Sequence, residues 1–320
     1  TIWPSQRSKF YKGIRILKGL LGLMRRIGQL RPESIIIYSG DYTLRLLLRT
    51  FKPLLQYKLF VEENEFPKVR YSTNSKQVLK QMKFYKTCDG VIVISKELAR
   101  YYKAQGAKQI FHLPMTVDIE RFEIYSQLPG DRLPYDYFVY VGGSGGFIRD
   151  SIEIIVHAYS MLHQTHPDIK LVIVGPANVH TKETQKILEF IQNNGISDDV
   201  IFTGSKPSNQ IPHYLMNAVG IVMTPQQDYE SGGFPTKLGE FLASGRPVIA
   251  TSVSEIPDYL NSSNSYLVAP GGSDQVVEAM KEILRDPVQA EKVGEEGKIL
   301  AKSQFVFTAY REDFIRFLSL

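Results

Sequence analysis

At 320 residues the chain exceeds one compact domain of ordinary size and suits two of roughly 150 residues each. Hydrophobic residues make up 43% and charged residues 22%, a balance that fills two apolar cores and excludes long disordered tracts. The net charge of +5 is unevenly spread, with roughly +15 before Pro114 and −10 after it.

A single cysteine, Cys88, excludes an internal disulfide framework, and six scattered histidines form no cluster at zinc spacing. The setting expected is reducing and cytoplasmic, with no metal. The greasiest stretch, residues 13–30, is broken by Arg15, Lys18, Arg25 and Arg26, so no membrane span is expected. The start does not resemble a signal peptide. The basic first part leaves open nucleic acid, an anionic membrane surface or a phosphorylated substrate, beside a plain solvated surface.

In chain order, residues 9–30 repeat Leu17, Leu20, Leu21, Met24 and Ile27 at helical spacing with basic residues between. This basic amphipathic helix suits a membrane surface or, more readily, a parallel sheet, because the strand-like SIIIYSG (34–40) follows. Next come a helix at 44–51, a strand at 57–63, a helix at 74–88, the strand GVIVIS (90–95), a helix at 96–106 and a strand at 109–115. Charge-free strands alternating with amphipathic helices predict a parallel sheet covered on both faces.

A polar passage carrying Pro and Gly, YSQLPGDRLPYD (125–136), leads to a second alternating series. Its strands are expected at 137–143, 170–176, 199–205, 220–225, 246–252 and 264–270, and its helices at 151–164, 181–194, 211–217, 236–244 and 273–286. The fold class is therefore α/β with two Rossmann-like halves: a first domain over 1–125, a linker over 126–137, a second domain over 138–304 and a terminal helix over 305–320. Phe305, Phe307, Tyr310, Phe314 and Phe317 recur at helical spacing there and are read as packing, crossing back onto the first domain. His112 and His213 lie among apolar neighbours and are read as structural.

Sheets of this kind bind ligands at strand ends. After the strand at 137–143 runs Gly142-Gly143-Ser144-Gly145-Gly146-Phe147-Ile148-Arg149-Asp150. Glycines let the backbone approach an anion, and Arg149 can bond phosphate. A dinucleotide fingerprint would need a third glycine at Ile148, which disfavours a dehydrogenase. Further on, Ser231-Gly232-Gly233 precedes Pro235, placed to open a helix with Thr236 and Lys237 in its first turn and Glu240 one turn in. First-turn N–H groups make an anion site, and a carboxylate beside it suits a ribose diol.

The stretch GGFPTKLGEFLASGRPVIAT (232–251), preceded by LMNAVGIVMTPQQDYE and followed by EIPDYL, resembles the donor-binding signature of family 4 glycosyltransferases of the GT-B fold. GVIVISKELARYYKAQG and HLPMTVDIERF resemble the end of that family's first domain. The resemblance implies two Rossmann-like domains with parallel sheets facing across a cleft, and transfer of a sugar from a nucleotide-sugar with retention and without a metal.

By that resemblance Glu240 is the second glutamate of the family's pair and binds the ribose. Arg149 takes the diphosphate from the loop of Gly142 and Gly143, Thr236 and Lys237 meet the phosphates, and Ser205 and Lys206 border the base. Gly232, Gly233 and Phe234 complete the donor loop. Gly232 stands where the family carries its first glutamate, and Glu230, two residues away, is expected to reach the donor sugar instead. Arg149, Lys237 and Glu230 are thus the expected catalytic set.

Acids at Glu62, Glu63 and Glu65 in VEENEFP suit an acceptor hydroxyl or, equally, pairing with nearby lysines. The family's first strand and glycine-rich loop have no counterpart before Thr1, so the chain is expected to begin inside its first domain. The expected partners are a nucleotide-sugar donor, a glycan or lipid-linked acceptor, and an anionic membrane at the cytoplasmic face. No nucleic-acid recognition motif is found. A rival reading is a non-catalytic nucleotide-binding or scaffolding relative, motivated by Gly232 and the missing first strand.

Overall fold

A computed structural model of the chain describes residues 9–38, 42–70, 75–127, 132–143, 150–176, 181–226 and 232–319. It divides into two compact units, one made of Thr1–Leu113, Ser231–Gly233 and Glu312–Leu320, the other of Pro114–Glu230 and Phe234–Arg311.

The first unit runs α1 (Lys9–Leu30), β1 (Ser34–Tyr38), α2 (Tyr42–Leu55), β2 (Lys58–Glu63), α3 (Pro67–Arg70), α4 (Ser75–Tyr85), β3 (Gly90–Val93), α5 (Lys96–Ala104) and β4 (Ile110–His112). Its strands pair in parallel in the order β1-β2-β3-β4. Leu59, Phe60 and Val61 on β2 and Val91, Ile92 and Val93 on β3 are buried, as the central strands of a covered parallel sheet require. Only Ile27 is buried among the described side chains of α1. Leu21 and Leu30 stay 62% and 61% exposed, so α1 is less covered than a sheet-packed helix would be.

The last helix of the chain, Arg311–Ser319, completes this unit. Phe317 lies 5.0 Å from Phe60 and 5.2 Å from Phe111, and Phe314 lies 5.3 Å from Phe111. Gly90 makes room, because a side chain there would run into the Phe317 ring. Phe305 turns elsewhere, into an aromatic group with Tyr259 and Phe234 in the second unit.

The second unit runs α6 (Ile119–Gln127), β5 (Tyr137–Val141), α7 (Ile152–His163), β6 (Lys170–Val174), α8 (Lys182–Asn193), β7 (Val200–Gly204), α9 (Ile211–Met216), β8 (Gly220–Met223), α10 (Leu238–Ala243), β9 (Val248–Thr251), β10 (Tyr266–Val268), α11 (Asp274–Arg285) and α12 (Pro287–Gln304). Six parallel strands lie in the order β10-β9-β8-β5-β6-β7. Counted within the unit this is the doubly wound order, whose direction reverses between β5 and β8.

One face of this sheet is filled by Phe138 and Tyr140 of β5, Ile155, Val156, Tyr159 and Leu162 of α7, and Val276, Met280 and Ile283 of α11. Helix α12 has no counterpart among the elements read from sequence, because Gly294 and Gly297 interrupt its apolar stripe. Those glycines let it lie against the backbone of Gly245 and the side chain of Leu242. Its start is marked by Pro287 and by Asp286, which accepts from the Gln289 N–H at 3.0 Å.

The first unit's opening stretch ends at Leu113 rather than at 125, and α6 groups with the second unit. Local contacts account for this: Tyr125 stacks on His213 at 5.1 Å, Lys302 donates to Glu123 at 3.0 Å, and the Val117 N–H donates to the Phe305 carbonyl at 2.7 Å.

Candidate active site

The strand order reverses between β5 and β8, the place where open α/β sheets bind ligands. The chain that follows β5 includes Ser144 to Arg149, and the chain that follows β8 includes 227–231. Arg149 and Glu230 therefore lie outside the described residues; the flanks of both loops are described.

Gly142 ends β5 and donates its N–H to the Val174 carbonyl at 2.9 Å. A Cβ on it would run into the Tyr140 side chain, and one on Gly175 would strike the Gly142 carbonyl oxygen. These glycines serve close backbone approach within the sheet end. Gly143 has open space around it, so a side chain there meets nothing among the described residues.

Asp150, where the β5 loop rejoins the described chain, is fully buried. It accepts from the Tyr140 hydroxyl at 2.6 Å and is ion-paired to Lys237, and its carbonyl accepts from the Thr224 hydroxyl at 3.0 Å. Lys237 also lies 4.8 Å from the Tyr140 ring centre. Lys237 thus neither points into solvent nor stands as a separate phosphate cation. Its charge is matched by Asp150, and the pair ties the end of the β5 loop to the start of α10.

Helix α10 begins at Leu238, two residues later than the sequence pattern implies. Thr236, exposed, and Lys237 precede it in a turn. The Leu238 N–H donates to the Pro235 carbonyl at 3.1 Å and the Gly239 N–H to the Met115 sulfur at 3.3 Å. Two N–H groups at the start of α10 are therefore already engaged within the protein. Glu240 is one third exposed and accepts from Arg121 Nη2 at 2.8 Å.

Phe234, expected in the donor loop, is a core side chain: it is buried and stacks on Tyr259 at 5.4 Å and Phe305 at 6.0 Å. Gly232 and Gly233 group with the first unit. Gly232 has φ +70, and a Cβ on it would lie 2.7 Å from the Phe66 ring and 3.1 Å from Leu98. Its carbonyl accepts from the Ser95 hydroxyl, which also caps α5 by accepting from the Leu98 N–H at 3.1 Å. Ser205, exposed, and Lys206, half-buried, follow β7 at the sheet edge, two strands from β5.

The acids after β2 separate. Glu63 is 1% exposed and paired to the fully buried Arg45 at 2.6 Å, and it accepts from the Tyr85 hydroxyl at 2.9 Å. Its carboxylate is thus buried and paired with a core arginine. Burial raises the Glu62 carboxyl above its ordinary range, opposed by a bond from Asn64 and reinforced by the Glu63 charge. Glu65 is exposed. Of the three, Glu62 and Glu65 keep access to solvent.

Sequence reasoning did not single out Arg121, Asp150, Tyr140, Met115 or Ser95. Arg121 sits within the ERF of a family-like motif, and Asp150 adjoins Arg149, but their partners are far away in the chain. Among the described residues no group of three or more His, Cys, Asp or Glu side chains could hold a metal, and no helix is long and apolar enough to cross a membrane.

Residues 147–299 match the sequence model of the family described as glycosyl transferases group 1. TuaH of Bacillus subtilis (strain 168), whose name assigns it as a glycosyltransferase of teichuronic acid biosynthesis, is 28% identical over 149 residues, 46% of this chain and 36% of its own. The chain thus spans about a third of that relative's length. The solved structure of Anabaena Alr3699/HepE in complex with UDP superposes with a TM-score of 0.73 at 14% identity, covering 93% of this chain and 82% of that one. Sucrose-phosphate synthase from Thermosynechococcus elongatus gives 0.69 at 20% identity, covering 99% and 81%. The chain has the α/β GT-B fold with Rossmann-like domains, and its residues 147–299 are similar to the glycosyl transferases group 1 family.

Proposed function

We propose that the chain is a glycosyltransferase that moves a sugar from a nucleotide-diphosphate sugar to an acceptor hydroxyl, in the synthesis of a surface polysaccharide or glycolipid. The observation that carries this reading is Glu240, in a donor-type motif on the helix that follows β8, one of the two strands at the sheet reversal. A carboxylate there reads the vicinal ribose hydroxyls, and the loop after β5 brings glycine backbone and Arg149 to the diphosphate. HepE has been solved with UDP and with UDP-glucose, which makes uridine nucleotides the first donors to test.

The chemistry proposed is front-face transfer with retention, as the family 4 resemblance implies. The acceptor oxygen bonds to the anomeric carbon as the bond to the leaving phosphate breaks, and the acceptor proton passes to a phosphate oxygen. Arg149 offsets the charge that develops on the diphosphate, Glu230 contacts the donor sugar, and no metal is required. Lys237 contributes through Asp150 by holding the end of the β5 loop, and Thr236 and Lys237 present backbone to the phosphates. Ser205 and Lys206 border the base, and Glu65 takes the acceptor side in place of Glu63.

A lipid-linked acceptor at the cytoplasmic membrane face completes the reading. Its support is α1, whose exposed Leu21 and Leu30 lie beside Arg25 and Arg26, the composition of a helix that rests on anionic lipid.

Calorimetry with UDP, GDP, ADP and their glucose conjugates tests the donor reading. One diphosphate should bind, and Arg149→Ala and Glu240→Ala should each weaken it by more than about 1 kcal/mol. A folded chain that binds none of them and transfers no labelled sugar defeats the reading. Binding without transfer, unchanged by Glu230→Gln, favours the non-catalytic relative that Gly232 points to.

A further inference from the structure

We propose that Arg121 is the positioning residue of Glu240, holding its carboxylate in the orientation that reads the ribose diol and offsetting its charge beside the diphosphate. The inference rests on the donor reading above and adds a residue to it.

Arg121 Nη2 lies 2.8 Å from Glu240 Oε1, and the two side chains are 24% and 33% exposed. The contact is single rather than forked, and no other bond to Glu240 is found among the described residues. Oε2 and the second lone pair of Oε1 therefore remain for two hydroxyls, since an ionised carboxylate offers about four acceptor directions. Arg121 Nε is buried without a hydrogen-bond partner among the described residues. A buried donor left unmatched is a cost, which the fold sustains while it keeps the guanidinium turned to Glu240.

The element that carries Arg121 is fixed against the one that carries Glu240. Phe122, the next residue, is buried, and Tyr125 is stacked on His213. The chain just before α6 lies against α10: the Gly239 N–H donates to the Met115 sulfur, and a Cβ on Gly239 would lie 3.0 Å from Met115 Cε and 3.4 Å from Val117. Residues 115–121 and α10 thus form one package, and the ion pair is a property of that package rather than of two long surface side chains.

The electrostatics give the pair its purpose. A glutamate that binds a ribose diol stands close to a nucleotide's diphosphate, and two like-charged groups in a partly dry site repel. A guanidinium bonded to one carboxylate oxygen offsets this repulsion while leaving hydroxyl acceptors in place. It also removes rotamer freedom that the glutamate would otherwise lose on binding.

Calorimetry with UDP, GDP and ADP, each compared with its 2′,3′-dideoxy form, separates positioning from general stability. For the diphosphate that binds, wild type should prefer the ribose form by about tenfold or more, the discrimination expected of one lost charge-assisted contact. In Arg121→Ala the preference should fall to about twofold with the dideoxy affinity little changed. Arg121→Lys should restore part of it, and Arg121→Ala should add nothing on a Glu240→Gln background. Equal loss for both forms, full ribose preference in Arg121→Ala, or tighter ribose binding in that variant would each overturn the inference while leaving the donor site standing. A wild-type chain that binds no diphosphate overturns the donor reading and this inference with it.

Discussion

The backbone of Gly232 passes so near the ring of Phe66 that a Cβ would lie 2.7 Å from it, at a φ of +70 that side chains rarely adopt. A glutamate cannot occupy this place without displacing the ring. On the proposed donor reading, a carboxylate for the donor sugar would therefore have to come from another position.

Gly232→Ala should cost about 1 to 3 kcal/mol, combining left-handed strain with the clash against Phe66. Gly232→Glu should cost at least as much and confer no gain in transfer. Urea unfolding of both variants and a donor-turnover assay check this; a Gly232→Glu chain that is stable and more active would show that the motif glutamate fits after all.

The Lys237 and Asp150 pair should behave as a buried ion pair. Lys237→Met takes from the buried Asp150 the cation paired with it and should destabilise by about 3 kcal/mol. Adding Asp150→Asn to Lys237→Met should recover most of the loss, because no charge is then stranded. Denaturant midpoints of the two single variants and the double decide between this coupling and simple additivity.

Glu63 and Glu65 should separate under mutation. Glu63→Ala removes the carboxylate paired with the fully buried Arg45 and should cost about 3 to 5 kcal/mol. Exposed Glu65→Ala should stay within about 0.5 kcal/mol and instead raise the acceptor KM. Thermal unfolding alongside acceptor titration checks both, and a well-folded Glu63→Ala chain with a raised acceptor KM would restore Glu63 to the acceptor side.

Asp199 supplies a pH signature remote from the donor loops. Burial pushes its carboxyl up, but the bond and charge of Lys170, together with His163 at 2.9 Å, outweigh this and hold it below its ordinary 3.8. A depressed folded value means the stabilisation is complete above the unfolded value and is lost as pH falls through the folded one. Asp199→Asn should therefore cost about 1 kcal/mol or less at pH 7, with the gap to wild type closing as pH falls below the ordinary 3.8 and through the lower folded value. Stability measured from pH 2 to 7 tests the sign.

The order of most strands and helices was legible in the sequence because hydrophobic period and charge-free runs are local signals. The sequence also determined the placing of glycines at strand ends, since a close backbone approach tolerates little else. Helix α12 escaped because glycines that serve tight packing on Gly245 erase the stripe by which a helix is recognised. Only the tertiary structure decided that Lys237 belongs to Asp150, Glu63 to Arg45 and Glu240 to Arg121. Each pair joins residues distant in the chain, and a charged side chain carries no local mark of the partner that burial will impose on it.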